Sequence, residues 1–340
     1  MERKSRDVSI DIAKGVLGLL VILGHMFSGI PGIQAVMHPL LLPSFFMISG
    51  LMMRITGEPE RPFSRIVLKR TIGILVPYFF FEIIGVLTYY LVNGYRIPIT
   101  EMIRNTLTMR CNNSPDWFLF VLYFAQLFTI SVLKLCALSK RKAILERFFA
   151  LISVAGILAL VGIGTEGNWR GEVLVRMTLA NGFIMTGYTL SKALESKHAY
   201  AGIAATISFL VVTIILGEKQ PGGYLYDNPF MGVDYGPFGA YYVLALLGCF
   251  GVLQISKLIP QRIPGSALAY LGCGSLILMG THLPIAQVIG LCTGFNAATI
   301  PERILMWVIL CTIEFPVIWL IRRYLPFLIG KGIFVKLYKR

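Results

Sequence analysis

Apolar runs close to 20 residues long, separated by short polar punctuation, constrain this chain more than any other feature. They lie near 8–28, 34–53, 70–92, 117–135, 146–163, 172–190, 199–217, 237–256, 266–290 and 302–321. A run of that length matches the hydrocarbon thickness of a bilayer when coiled as an α-helix. Inside lipid the backbone must satisfy its own hydrogen bonds, which leaves helices or closed barrels. Of the 340 residues, 56% are hydrophobic and only 14% are charged, with a mean hydropathy of +0.73, whereas soluble domains carry about 25% charged residues. The expected fold is therefore all-α: a polytopic membrane helix bundle of about ten spans, one domain over 1–340, with no separate soluble domain. The first run begins near Val8 and exceeds a signal-peptide core, and no cleavage site accompanies it, so it reads as a retained span.

Orientation follows from where lysine and arginine fall. The N-terminus, the even-numbered connections and the tail hold 23 of them, including Arg54, Arg61, Arg65, Lys69, Arg70, Lys140, Arg141 and Lys142. The odd-numbered connections hold six: Arg96, Arg104, Arg110, Arg170, Lys219 and Arg303. Both termini are expected on the cytoplasmic side. The net charge of +14 then belongs to membrane topology, and no nucleic-acid motif accompanies it. Two outward connections are long, 93–116 and 218–236. The second mixes tyrosines with Asp227 and Asp234, a combination suited to a flexible linker or to sugar binding. The six cysteines form no CxxC pair and read mostly as buried small hydrophobes. Cys111 and Cys292 both fall toward the outside, which leaves a disulfide between them open.

Hydrocarbon penalises ionisable groups, so those within the runs ask for partners or roles. "DIAKGVLGLLVILGH" places Asp11, Lys14 and His25 along one stripe of the first helix: eleven positions separate Lys14 from His25, about 20° around the helix. Either Asp11 and Lys14 form a local pair and His25 packs, or the stripe works inside the bundle. "YLGCGSLILMGTHLP" puts Ser275 and His282 seven apart on one face. No third ligand at metal-site spacing joins the histidines, so no metal is expected. Glu82 and Glu314 stand isolated in apolar runs, as proton-relay groups or as protonated, hydrogen-bonded core residues. Arg176 lies one turn after Glu172, which permits a local pair. Trp117 follows Asp116 at an outer interface, a place for an aromatic anchor or for a site.

These residues resemble the acyltransferase-3 family of integral membrane O-acyltransferases, particularly its short single-domain members such as the enterobacterial common antigen and fucose acetylases. "DIAKGVLGLLVILGH" is similar to the family's first helix, with a basic residue and a histidine at the positions of Lys14 and His25. "LPSFFMISGLMM" resembles its FF-x-x-SG segment, "KRTIGILVPYFF" its basic–Pro–aromatic third helix, and "YLGCGSLILMGTHLP" its late G-x-x-S…H segment. The chain departs where many members carry arginine in place of Lys14, and where Leu41 stands at a usual histidine position, with His38 nearby but out of register. The resemblance implies transfer of an acyl group, usually acetyl from cytoplasmic acetyl-CoA, to a hydroxyl of a cell-surface or lipid-linked glycan, in a bacterial inner membrane and without a metal. His25 is the expected general base with His282 second. Lys14, Arg70 and Ser275 are expected at the donor, and Asp11, Glu82, Trp117, Arg176 and Glu314 in support. The rival readings are a proton-coupled transporter of small solutes and a non-catalytic partner in glycan synthesis.

Overall fold

A computed structural model describes residues 7–94, 98–108, 111, 113–160, 169–218, 238–295 and 297–330, and every regular element among them is helical. The helices are α1 (Val8–Met26), α2 (Pro31–Ile55), α3 (Phe63–Arg70), α4 (Val76–Asn93), α5 (Ile99–Leu107), α6 (Trp117–Ala137) and α7 (Lys142–Leu160), followed by α8 (Trp169–Thr189), α9 (Ser191–Glu195), α10 (Ala199–Glu218), α11 (Phe238–Leu258), α12 (Ile263–Cys273), α13 (Ser275–Thr293) and α14 (Ile300–Tyr324). The 218–236 connection, with Asp227 and Asp234, falls almost wholly outside the described residues. Among the described residues, seven helices are long and apolar enough to cross a membrane: α1, α2, the continuous α3–α4 segment, α6, α11, α13 and α14. The runs at 146–163, 172–190 and 199–217 correspond to α7, α8 and α10.

Local chemistry explains the boundaries. Asp7 caps α1, its carboxylate accepting from the Ser9 amide at 2.9 Å. Pro31 opens α2, where the missing N–H costs nothing. Between α3 and α4 the helix widens into one π turn, Thr71–Leu75. Pro77 cannot donate back to Gly73, and the wider turn absorbs the missing bond. The run expected as one helix over 266–290 is broken instead at Gly274. The Gly272–Cys273–Gly274 triplet lowers helix propensity there, and Ile318 of α14 lies against Gly274 so closely that a Cβ would meet it at 2.5 Å.

Two helices organise the bundle. α1 packs against α12, α2, α11, α13 and α14, and α2 packs against α8, α11 and α10. Small residues allow the closest approaches, as in many membrane bundles. Gly15 of α1 faces the Leu268 carbonyl, Gly272 faces the Asp11 carbonyl, and Gly50 of α2 faces the Ile184 carbonyl of α8. The stripe of α1 is thereby turned inward, as a polar face among hydrocarbon requires. On α5, Ile99, Ile103 and Leu107 share one exposed face, the pattern of a helix lying along an interface. From the charge asymmetry, Glu101→Cys is expected to react with a membrane-impermeant maleimide on intact cells, and Lys197→Cys only after permeabilisation, in a background without native cysteines. The reverse pattern would invert the orientation.

The thiols correct two expectations. Cys111 and Cys292 are both free thiols, so they form no disulfide with each other. Only Cys136 and Cys249 are buried, while Cys273 and Cys292 are exposed. An apolar run sets the medium of a residue, not which face of the helix turns inward.

Candidate active site

His25 ends the α1 stripe and lines a cavity of about 260 Å³ enclosed by the end of α1, the start of α2 and the start of α6. Gln34 ties the α1–α2 corner together, its amide donating to the Gly24 carbonyl at 2.9 Å. His38 and Trp117 line the same cavity. His282 lies fully buried behind His25, the two ring centroids 5.0 Å apart and tilted by 45°. Nδ1 of His282 stands 2.7 Å from the Leu278 carbonyl. A carbonyl only accepts, so Nδ1 carries the proton. In the neutral ring Nε2 is then left with its lone pair, and it has no hydrogen-bond partner among the described residues.

The outer wall of the cavity is held by a buried polar network. Glu82 accepts from the Thr106 hydroxyl at 3.0 Å and from the Asn113 amide at 3.3 Å. The Asn113 side chain donates to Asp116 at 3.0 Å and to the Gly280 carbonyl at 2.9 Å, two residues before His282. Burial pushes the Asp116 carboxyl well above the usual range, and the neighbouring Glu82 adds to this. Glu82 is therefore not isolated. It ties the segment that carries Pro115 and Trp117 to α4, and the Asn113 side chain ties the same segment to α13. Nor is Glu314 isolated, since the Thr281 hydroxyl lies 2.8 Å from one of its oxygens. Trp117 is buried rather than displayed to lipid, and the Arg176 guanidinium stacks on its ring, 4.8 Å from the centroid, a cation–π contact. The side chain of Glu172, its expected partner, lies outside the described residues.

The other candidates sit away from the histidines. Lys14 pairs with Asp11 at 2.7 Å. Eleven residues of helix place Lys14 about 16 Å along α1 from His25. Ser275 opens α13 at the break, seven residues from His282 and so about 10 Å along the helix axis. Arg70 and Lys69 hold Glu58 from two sides, the lysine at 3.0 Å. Glu58 is 1% exposed, and burial alone would raise its pKa, but the two cations outweigh that and hold it below the usual 4.5. A depressed folded value means stabilisation that is complete above the unfolded pKa and lost as pH falls through the folded one. Wild-type melting temperature is thus expected to drop as pH falls below about 4.3. Glu58→Gln should lower stability at neutral pH by about 2 kcal/mol, since Lys69 is half exposed, and should flatten this acid dependence. A variant melting like wild type at both pH values would remove Glu58 as a staple.

The structure thus joins His25, His282 and Trp117, brings Arg176 onto Trp117, and keeps Lys14, Arg70 and Ser275 apart from them. His38, Gln34 and Asn113 are additions. The signal for His38 was its rarity, since the chain has four histidines and three gather here. Asn113 left no trace, because its partners come from three separate segments.

The family model described as an acyltransferase domain, Acyl_transf_3, matches residues 7–323. No curated protein and no solved structure gives a match.

Proposed function

The chain belongs to the acyltransferase-3 family and is a multi-pass membrane acyltransferase, and from that premise we propose that it moves an acetyl group from cytoplasmic acetyl-CoA to a hydroxyl of a cell-surface or lipid-linked glycan in a bacterial inner membrane. The observation that carries the reading is the close pair of His25 and His282 beside a cavity at the end of α1 opposite its cytoplasmic start. A glycan hydroxyl entering that cavity meets His25, a group suited to take its proton near neutral pH. The oxygen then bonds to the thioester carbonyl carbon, the C–S bond breaks, and the thiolate leaving group recovers the proton from the histidinium. A thioester is already activated, so the histidine and the positioned substrates suffice for the chemistry.

His282 supports His25 in this reading, its Nδ1 fixed by Leu278 and its ring held against the base. Trp117 offers an aromatic wall for a sugar, braced by Arg176. The rise of α1 favours one of two roles for Lys14. It stands too far from His25 to polarise the same carbonyl, and in this reading it holds the donor on the cytoplasmic side, with Ser275 at the break nearby in depth. Arg70 acts through Glu58. Purified protein in lipid should consume acetyl-CoA in proportion to a hydroxylated glycan acceptor and hydrolyse it only slowly without one. Lys14→Ala should raise the donor KM, and Lys14→Arg should restore most of it because the cation is retained. Consumption that ignores the acceptor would overturn glycan transfer.

A further inference from the structure

A second cavity, of about 510 Å³, opens at the opposite end of α2, where the positive-inside pattern expects the cytoplasm. Its walls carry Arg54, Lys140 and Lys142 against Glu60 and Glu146, with Tyr188 beneath Arg54. The Arg54 guanidinium donates to the Tyr188 hydroxyl at 2.8 Å and lies over its ring at 4.9 Å. The floor is apolar, made by Met53 and Leu133. The Pro59–Glu60 rim is held in place without a ligand, because Gly57 turns the chain at a φ of 58° and Glu58 is clamped beneath it by Lys69 and Arg70.

Glu146 is the informative residue. It is 8% exposed, and its Oε1 has no hydrogen-bond partner among the described residues. The nearest cations stand back from the carboxylate, Arg54 at 3.7 Å and Lys142 at 4.0 Å, beyond hydrogen-bond reach. A buried acceptor left unmet is costly. What completes this cleft must bring a hydrogen-bond donor to Glu146, anionic oxygens to Arg54, Lys140 and Lys142, and a flat apolar face to the floor.

We infer that this cleft binds the nucleotide end of the acyl donor, a purine nucleoside bisphosphate, with its phosphates on Arg54, Lys140 and Lys142 and a hydroxyl or exocyclic amine on Glu146. The inference rests on the acyl-CoA reading above and moves the recognition of the donor head to residues other than Lys14, Arg70 and Ser275. Inorganic phosphate or an anionic lipid headgroup shares the phosphate chemistry. Phosphate alone brings no flat face and sets an anion beside Glu146.

The test uses the full chain in nanodiscs of phosphatidylcholine, with adenosine 3′,5′-bisphosphate as the probe, followed by calorimetry. The bisphosphate should bind and compete with coenzyme A, and pantetheine should not compete with it. Lys140→Glu and Lys142→Glu should each weaken the probe by about tenfold or more, the effect of losing one charge-assisted hydrogen bond. Arg104→Glu, the same charge change on exposed α5, should leave it unchanged. Glu146→Gln should weaken the bisphosphate while leaving inorganic phosphate as it was. Equal affinity in the Lys140, Lys142 and Arg104 variants would overturn the assignment. So would displacement of the probe by a small fraction of anionic lipid, which would give the cleft to a headgroup. Failure of the underlying reading looks different: the bisphosphate binds as described, but no acyl-CoA is consumed with any acceptor. Conversely, turnover with an unchanged acyl-CoA KM in Lys140→Glu and Lys142→Glu would sink the cleft and leave the acyltransferase reading standing.

Discussion

His25→Ala is expected to leave acyl-donor affinity unchanged and to lower the single-turnover rate of acyl transfer by about 10²–10⁴-fold, the usual contribution of a positioned general base. His25 lines the cavity, while Lys14, proposed to hold the donor, lies about 16 Å away along the same helix, so binding and chemistry are expected to separate on one element. His282 sharpens the test. Its ring lies against His25, centroids 5.0 Å apart, and its Nδ1 is committed to Leu278. If it works through His25, the double variant will be little slower than His25→Ala alone, since residues acting as a unit are not additive. Multiplicative losses would mean two independent roles. Normal turnover in a monodisperse His25→Ala protein would return the histidine to core packing and end the catalytic assignment.

Gly272→Val is expected to have the largest effect on folding. A Cβ at that position would lie 1.8 Å from the Asp11 carbonyl oxygen and 2.7 Å from the Gly15 nitrogen. Both are backbone atoms and cannot rotate away, so α12 must leave α1. The cost is about 3 kcal/mol or more, the upper end of overpacking penalties, and should appear as a lower melting temperature and loss of monodisperse protein. Gly32→Ala is the control, because nothing lies within 4 Å of a Cβ there. If both variants melt like wild type, α1 and α12 do not meet through this glycine pair. If Gly272→Val folds but loses turnover, the displaced stripe of Lys14 and His25 is the cause.

Much of the arrangement was legible along single helices. The spacing of Asp11, Lys14 and His25 foretold one stripe, and the structure turns it into the bundle with Lys14 on Asp11. Ser275 and His282 share α13 as their spacing required, though the break at Gly274 was hidden by an unbroken apolar run. Periodicity names the face of a helix and is silent on the neighbour that face will meet. Glu82 looked isolated because Thr106 and Asn113 reach it from a connection. Trp117 stayed open between an interfacial anchor and a site because nothing local announces Arg176 on its ring. Arg54 was counted only as a charge on one side of a membrane and Glu146 drew no reading, since they are 92 residues apart and approach each other only once α2 and α7 both pack against α8.

Composition and the length of the apolar runs determined by themselves that this chain is a helical membrane protein, because a bilayer admits few ways to satisfy a backbone. The family motifs marked Lys14, His25, Ser275 and His282 for a related reason: Lys14 and His25 share α1 and Ser275 and His282 share α13, where spacing fixes geometry. Only tertiary structure decided that His282 backs His25, that His38 and Trp117 share their cavity, and that a basic cleft with an unmet carboxylate lies at the other end of α2. Those contacts join helices far apart in the chain, and their geometry depends on close backbone approaches at Gly15, Gly50 and Gly272, where the absence of a side chain sets which helices become neighbours.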